Sequence, residues 1–443
     1  MTTPQKEKLA ASPRLRFIQR TAIVIMLVGG VVNFVDRVTL AVANPLIHDD
    51  LNVSVGEMGI LLSAFLWSYA VAQLPAGVLV DRFGARKMLG FGLVVWSIAQ
   101  MLGGAVTSFG QFIATRVLLG IGESPQFPSA ARVSRDWFNV RERAFPLSIV
   151  NSSPYIAQTI ALPILTIIML SLGWRWMFVA TGALGVVVAV VWFAMFRDRK
   201  GVALTPNEEE HLDDGDVAAV ITPATSAEWR QLFRFRSVWG LILGCFGIGY
   251  VSWLYGTWLP GYLHMQRHMT ISSTGWVAAI PHAFAIVGAL LGGWIADRLA
   301  KRGFSPVNSR KIPLIIGITG AALFTIFAAY AKSDVLAMVF ITIAVASGSM
   351  CGGLYWALAG VIAPSNLAGS CGAIANFGYY VGGAIVPIAT GFIVQSTGSF
   401  TPALLMSGAI GLVSSLCYVL LIKNEPLLFK TPRHENVTIA AQG

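Results

Sequence analysis

Long apolar runs separated by short clusters of charge recur along the whole chain. Crossing the hydrocarbon core takes roughly 20 predominantly apolar residues. Runs of that length fall at 19–45, 57–80, 87–108, 110–133, 143–170 and 174–196, and again at 238–264, 272–298, 310–332, 335–363, 368–395 and 400–422. The pattern predicts an all-α integral membrane protein with twelve transmembrane helices in two sets of six. Between the sets, 197–237 carries Glu208, Glu209, Glu210, Asp213, Asp214 and Asp216 with little apolar content, which predicts a solvated connector. The chain therefore divides into a tail at 1–18, a bundle at 19–196, the connector at 197–237, a second bundle at 238–422 and a tail at 423–443.

Composition agrees with lipid as the main solvent. Of 443 residues, 55% are hydrophobic and 12% charged, against about 25% charged in soluble domains. The net charge of +10 comes from basic clusters lying between the apolar runs, as topology determinants do, which argues against a nucleic-acid partner. Placing both termini in the cytoplasm puts 26 of the 31 Lys and Arg residues there and leaves Arg175, Arg267 and Lys332 on the other side. An odd number of helices would spoil this alternation. The polar stretch before the first run has no cleavage site following a short apolar core, so the first helix is expected to serve as its own anchor. Cys245, Cys351, Cys371 and Cys417 lie inside apolar runs without disulfide spacing. Walker, nucleophile-elbow and His-Glu-x-x-His motifs are absent from the sequence. The expectation is a protein that is not an enzyme, needs no cofactor and uses a gradient or no energy source.

A loop element occurs twice. Gly77-Val-Leu-Val-Asp81-Arg82-Phe-Gly84-Ala-Arg86-Lys87 follows the second run, and Gly293-Trp-Ile-Ala-Asp297-Arg298 follows the eighth. A glycine four residues before the aspartate allows two helices to approach closely, while the charges can latch a loop to neighbouring helix ends. These features resemble the major facilitator superfamily. Asn33-Phe-Val-Asp36-Arg37, Tyr69-Ala-Val-Ala-Gln73-Leu-Pro75-Ala-Gly77 and Arg116-x6-Glu123-Ser-Pro125-x-x-Pro128 resemble its anion:cation symporters. Trp253-Leu-Tyr-Gly-Thr-Trp258-Leu-Pro260-Gly-Tyr262-Leu resembles bacterial galactonate and other sugar-acid importers. The resemblance implies two six-helix bundles around a central cavity that opens alternately to each side, in a multi-pass inner-membrane protein. Its partners would be a small organic anion, protons and membrane lipid, and it would act as a monomer.

Charges near the middle of a membrane are functional candidates by default, and four lie well inside the predicted spans, away from their ends: Asp36, Arg37, Arg116 and Glu123. Arg37 is the expected ligand for the substrate's anionic group, because guanidinium forks onto carboxylate and keeps its charge. The alternative is an ion pair with Asp36. Arg116 and Glu123, seven residues apart, project from one helical face at a separation of roughly 10 Å, too far to pair directly. The resemblance implies proton-coupling roles for Asp36 and Glu123, with Arg116 modulating them; the alternative is that Glu123 only neutralises an arginine. Two titratable acids permit more than one proton per monoanion.

The second half has no acidic, Lys or Arg residue at mid-membrane, so its wall is expected to be neutral. There the resemblance implies that Asn376 and Trp356 contact substrate, with Tyr69 reaching from the first half. Pro154 stands where the galactonate importers carry a glutamine and Gly353 where they carry a serine. Gln158, one turn on, could replace the lost amide, and Tyr379 and Tyr380 are further candidates. Trp356 could instead mark a membrane interface. His282 reads as a packed or cavity residue, or as a titrating coupler. Gly77, Asp81, Arg82, Arg86, Asp297 and Arg298 are the gating candidates. A symporter of a sugar acid (an aldonate such as galactonate, an aldarate or a hexuronate) is favoured over one of tartrate, phthalate or a related aromatic acid. It is also favoured over a ligand sensor that does not transport.

Overall fold

The computed structural model describes residues 11–139, 142–213, 226–364, 367–425 and 427. Parts of both tails, the acidic Asp214 and Asp216 of the connector, and Arg141 lie outside them. The first bundle comprises α1 (Pro13–Leu51), α2 (Val55–Phe83), α3 (Ala85–Gly103), α4 (Phe109–Glu123), α5 (Gln126–Trp137), α6 (Ala144–Asn151), α7 (Ser153–Leu172) and α8 (Trp174–Met195). The connector contributes α9 (Pro206–Asp213) and α10 (Ser226–Leu232). The second bundle comprises α11 (Arg236–Met265), α12 (Ile271–Lys301), α13 (Asn308–Ala329), α14 (Asp334–Ser349), α15 (Cys351–Ile362), α16 (Ala368–Thr397) and α17 (Thr401–Leu421).

Three predicted spans are each built from two helices: α4 with α5, α6 with α7, and α14 with α15. Pro125, next to the first break, has no amide hydrogen to donate, and Pro154 occupies the first turn of α7, where a missing donor costs nothing. At the third break no proline intervenes, and Ser349 turns its hydroxyl onto the carbonyls of Ala285 and Ala346. Counting these pairs once gives twelve passes. Ten of the spans are long and apolar enough to cross a membrane on length and composition alone. The others are α3, which contains Arg86, Lys87, Ser97 and Gln100, and the α4–α5 pair, which carries Arg116 and Glu123.

The connector is not wholly solvated. Leu212 of α9 is buried in the first bundle's core, Glu208 accepts hydrogen bonds from the Ser12 hydroxyl and the Thr205 amide, and Arg199 pairs with Asp213. The Ser12 and Thr205 donors hold the Glu208 carboxyl below its ordinary range.

Across the boundary between bundles, α2 packs on α16, α1 on α11 and α7 on α12. Lipid supplies no hydrophobic drive between helices, so close packing needs small residues. A Cβ on Gly59 would lie 2.4 Å from the Pro387 carbonyl oxygen, and one on Gly391 would lie 2.7 Å from that of Val55. Gln395 accepts from the Gly56 amide at 2.9 Å, and the Ser63 hydroxyl donates to the Ala384 carbonyl. At the other end of α2 no such contact exists: a Cβ on Gly77 would meet nothing within 4 Å, nor would one on Gly293, Gly360 or Gly369. The expected close approach at Gly77 is therefore not made, because the end bearing the Asp81 loop is where the halves stand apart.

Candidate functional site

Near mid-length, α1 turns Asn33, Asp36 and Arg37 into the protein interior, where they are 0%, 0% and 8% exposed. Arg37 Nε donates to Glu123 Oε2 of α4 at 2.8 Å, with both side chains buried. The alternative pairing of Arg37 with Asp36 is not made; neighbouring residues on a helix point about 100° apart, and α4 supplies the partner instead. The guanidinium carbon lies 4.3 Å from the Phe34 ring centroid, 4.7 Å from Tyr69 and 4.8 Å from Phe65. These rings fix its plane and shield it from lipid. Both terminal nitrogens, Nη1 and Nη2, are buried beside the Tyr69 phenol, with no carboxylate hydrogen-bonded to them.

Arg116 is held differently. Its Nη2 donates to Gln100 Oε1 at 2.8 Å, and Gln100 Nε2 donates in turn to the Thr181 hydroxyl at 2.9 Å. The rings of Phe178 and Phe112 flank it, with centroids 5.2 and 5.6 Å away. As the seven-residue spacing requires, Arg116 and Glu123 find separate partners. Asp36 lies within electrostatic range of Arg116, Glu123 and Arg37, with the Thr181 hydroxyl beside its carboxylate.

The two bundles meet below this cluster through polar and aromatic groups. Tyr355 donates to Asn376 Oδ1 at 3.0 Å, Asn376 Nδ2 to Gln73 Oε1 at 3.5 Å, and Gln73 Nε2 to the Tyr69 hydroxyl at 3.3 Å. Tyr69 also packs against Tyr380, the rings tilted by 46° with centroids 5.0 Å apart, and Tyr380 meets Tyr379 edge-on at 5.5 Å. A continuous chain of contacts thus links Glu123, Arg37 and Tyr69 to Asn376 and Tyr355 across the boundary.

Three sequence candidates stand apart from this chain. Gln158 is half-buried on α7 without a hydrogen bond to the cluster. Trp356 is 44% exposed and covers Gly372, reaching the cluster only through Tyr355, 5.9 Å away. His282 is buried on α12 with Nδ1 unpartnered. Conversely, charge-based reasoning missed Gln73, Gln100, Asn33 and Tyr355; the signal available was an amide or phenol inside an apolar run.

The two copies of the loop also differ. Asp81 accepts from Arg132 at 3.2 Å and Arg135 at 3.4 Å, both on α5. Arg86 donates to the carbonyls of Phe196 and Phe193 at 2.8 and 2.6 Å, while its amide donates to Asp198. Gly84 has φ +87°, a left-handed value open to glycine, and a Cβ there would also lie 2.5 Å from Asp198. Arg82 packs over Phe83. In the second copy, Arg298 stacks over Trp294, and Asp297 makes no ion pair among the described residues.

A family model for the Major Facilitator Superfamily matches residues 26–387. The chain belongs to the Major Facilitator Superfamily. Its relatives include the "Probable L-galactonate transporter" of Escherichia coli (strain K12), 41% identical over 418 residues that cover 94% of this chain and 92% of that one. The "D-galactonate transporter" of Escherichia coli O6:H1 is 32% identical, covering 93% of this chain and 97% of its own length. Among solved structures, a D-xylose–proton symporter superposes with a TM-score of 0.74 at 16% identity, covering 93% of this chain and all of that one. This superfamily member is a multi-pass transport protein of the inner membrane and not an enzyme.

Proposed function

We propose that the chain imports a sugar acid (an aldonate such as galactonate, an aldarate or a hexuronate) by proton symport with alternating access. The observation that carries this reading is the Arg37 fork. Its two terminal nitrogens are buried with no carboxylate on them, its third nitrogen is bonded to the Glu123 carboxylate, and Tyr69, Gln73 and Asn376 lie beside it as hydrogen-bonding groups for hydroxyls. The substrate carboxylate binds at the terminal nitrogens of Arg37. Proton uptake and release at Glu123 and Asp36 then govern how tightly that arginine is held, with Arg116 setting the local field. Relatives named for galactonate and for galactarate/D-glucarate support the substrate class. With both termini in the cytoplasm and the chain acting as a monomer, the parted end that bears Asp81 is the cytoplasmic opening.

Two titratable acids beside one substrate cation point to more than one proton per monoanion. Each extra charge moved inward gains about 2.3 kcal/mol per 100 mV of inside-negative potential. The test is a panel of aldonates, aldarates, hexuronates, tartrate and phthalate in proteoliposomes with imposed pH and voltage gradients. Uptake of one sugar acid that responds to both gradients is expected. Uptake driven by neither gradient would overturn symport, and preference for an aromatic acid would overturn the substrate class.

A further inference from the structure

Outside the charged cluster, the first bundle holds a second group of buried polar atoms. Asn33 on α1, Gln126 and Ser129 on α5 and Ser153 on α7 are all 0% exposed. Oδ1 of Asn33, Oε1 of Gln126 and the hydroxyl oxygens of Ser129 and Ser153 have no hydrogen-bond partner.

These residues form a line. Asn33 is one turn before Arg37, and its side-chain amide is directed at the Glu123 carboxylate. One turn further back, Gly29 and Gly30 admit α5 and α7. A Cβ on Gly30 would lie 2.5 Å from the Ser153 oxygen and 3.5 Å from Gln126 Nε2, and one on Gly29 would lie 3.7 Å from Gln126 Oε1. Beyond them Gln126 Nε2 donates to the Met26 carbonyl at 3.3 Å. Ser129 follows one turn along α5, and Arg132, three residues later, pairs with Asp81. The line therefore runs from Glu123 away from the end where Gly59 and Gly391 clamp α2 to α16 and toward the end bearing the Asp81 loop.

Buried polar atoms are paired with protein or with ordered water, and an orphan costs about 1–3 kcal/mol. Four orphans in one seam are not dry packing; water is the partner that satisfies them. We propose that Asn33, Gln126, Ser129 and Ser153 hold a file of water molecules that carries the proton released by Glu123 to the end bearing the Asp81 loop. This rests on the proton-symport reading. The Glu123 carboxyl O–H bond breaks, the first water becomes hydronium, and successive transfers pass the charge along while the carboxylate stays paired with Arg37. The charges facing Glu123 are those of Arg37, Arg116 and Asp36. None of the four seam side chains titrates near neutral pH, so the seam conducts the proton without storing it.

Silver ion, close to water in size, tests the hydration. In Ser129→Cys and Ser153→Cys proteins, Ag+ is expected to protect the new thiols from later alkylation at least tenfold more than the buried native Cys245, measured site by site by mass spectrometry. Protection no greater than that of Cys245 would overturn the seam. Gln126→Met combined with Ser153→Ala tests conduction with galactonate as the probe. Accumulation driven by a pH gradient should slow about tenfold, while exchange at equal pH changes less than twofold. A parallel fall in both, or no fall in either, would overturn the proton role. Failure of the symport reading looks different: the unsubstituted protein would then ignore a pH gradient, whatever silver reports.

Discussion

The two bundles share an architecture and a repeated loop, but the first carries the charge. Asp36, Arg37, Arg116 and Glu123 all belong to α1 and α4, whereas the facing wall from α15 and α16 offers Tyr355, Asn376, Tyr379 and Tyr380. The loops diverge in the same sense, with Asp81 paired to α5 and Asp297 unpaired among the described residues. The repeated loop is shared, but the buried intramembrane charges lie in one half alone among the described residues. Moving an ion through hydrocarbon is expensive. A fixed charged half and a neutral, hydrogen-bonding half can therefore shift against each other without either wall dragging a charge across the membrane.

The largest effect should follow from removing the cation on which the asymmetry depends. Truncating one partner of a buried, hydrogen-bonded charge pair costs about 2–5 kcal/mol. Arg37→Ala is therefore expected to weaken galactonate binding at least about a hundredfold, measured by calorimetry on purified protein. Arg37→Lys should recover little of this, because an ammonium cannot present a planar fork between Phe34, Phe65 and Tyr69. Normal binding by Arg37→Ala would erase the distinction between the halves. Glu123→Gln comes next in size: it retains a hydrogen-bond acceptor for Arg37 but removes the titrating group, so accumulation driven by a pH gradient should vanish while substrate exchange persists.

On the neutral side the expected loss is smaller and different in kind. Asn376→Leu leaves Tyr355 and Gln73 without their partner, and an unsatisfied buried group costs about 1–3 kcal/mol. Uptake assays should show KM raised roughly tenfold with the response to pH and voltage unchanged. A change in proton coupling would mean that the second bundle shares a task assigned here to the first.

The apolar runs made the twelve spans legible, because lipid enforces a minimum length that few other constraints imitate. The breaks were only partly legible: Pro125 and Pro154 announce two of them, but nothing in Ser349-Met350 announces the third. Spacing along α4 showed that Arg116 and Glu123 could not pair directly. It could not show that Glu123 reaches Arg37, since that contact joins positions 86 residues apart. Gln73 and Gln100 were overlooked because neutral amides register weakly beside charges, although a buried amide without a partner is also costly. Gly77 looked like a packing contact because a motif does not reveal which end of the molecule is closed. The clamp made by Gly59 and Gly391 became visible only once α2 and α16 faced each other.

The smallest effect concerns the loop copies. The Asp81 side chain is 64% exposed and its partners Arg132 and Arg135 are 20% and 55% exposed, so solvent screens the pairs and each contributes about 0.2–1 kcal/mol. Asp81→Asn should lower thermal stability by about 1 kcal/mol or less, and the loss should shrink further as salt is raised, because screening weakens exposed pairs first. Asp297→Asn has no pair to break and should leave the unfolding temperature unchanged at any salt concentration. Scanning fluorimetry of both variants at low and high ionic strength compares the copies directly. Equal, salt-sensitive losses would mean that the second loop is latched like the first, and that the asymmetry is confined to the intramembrane charges.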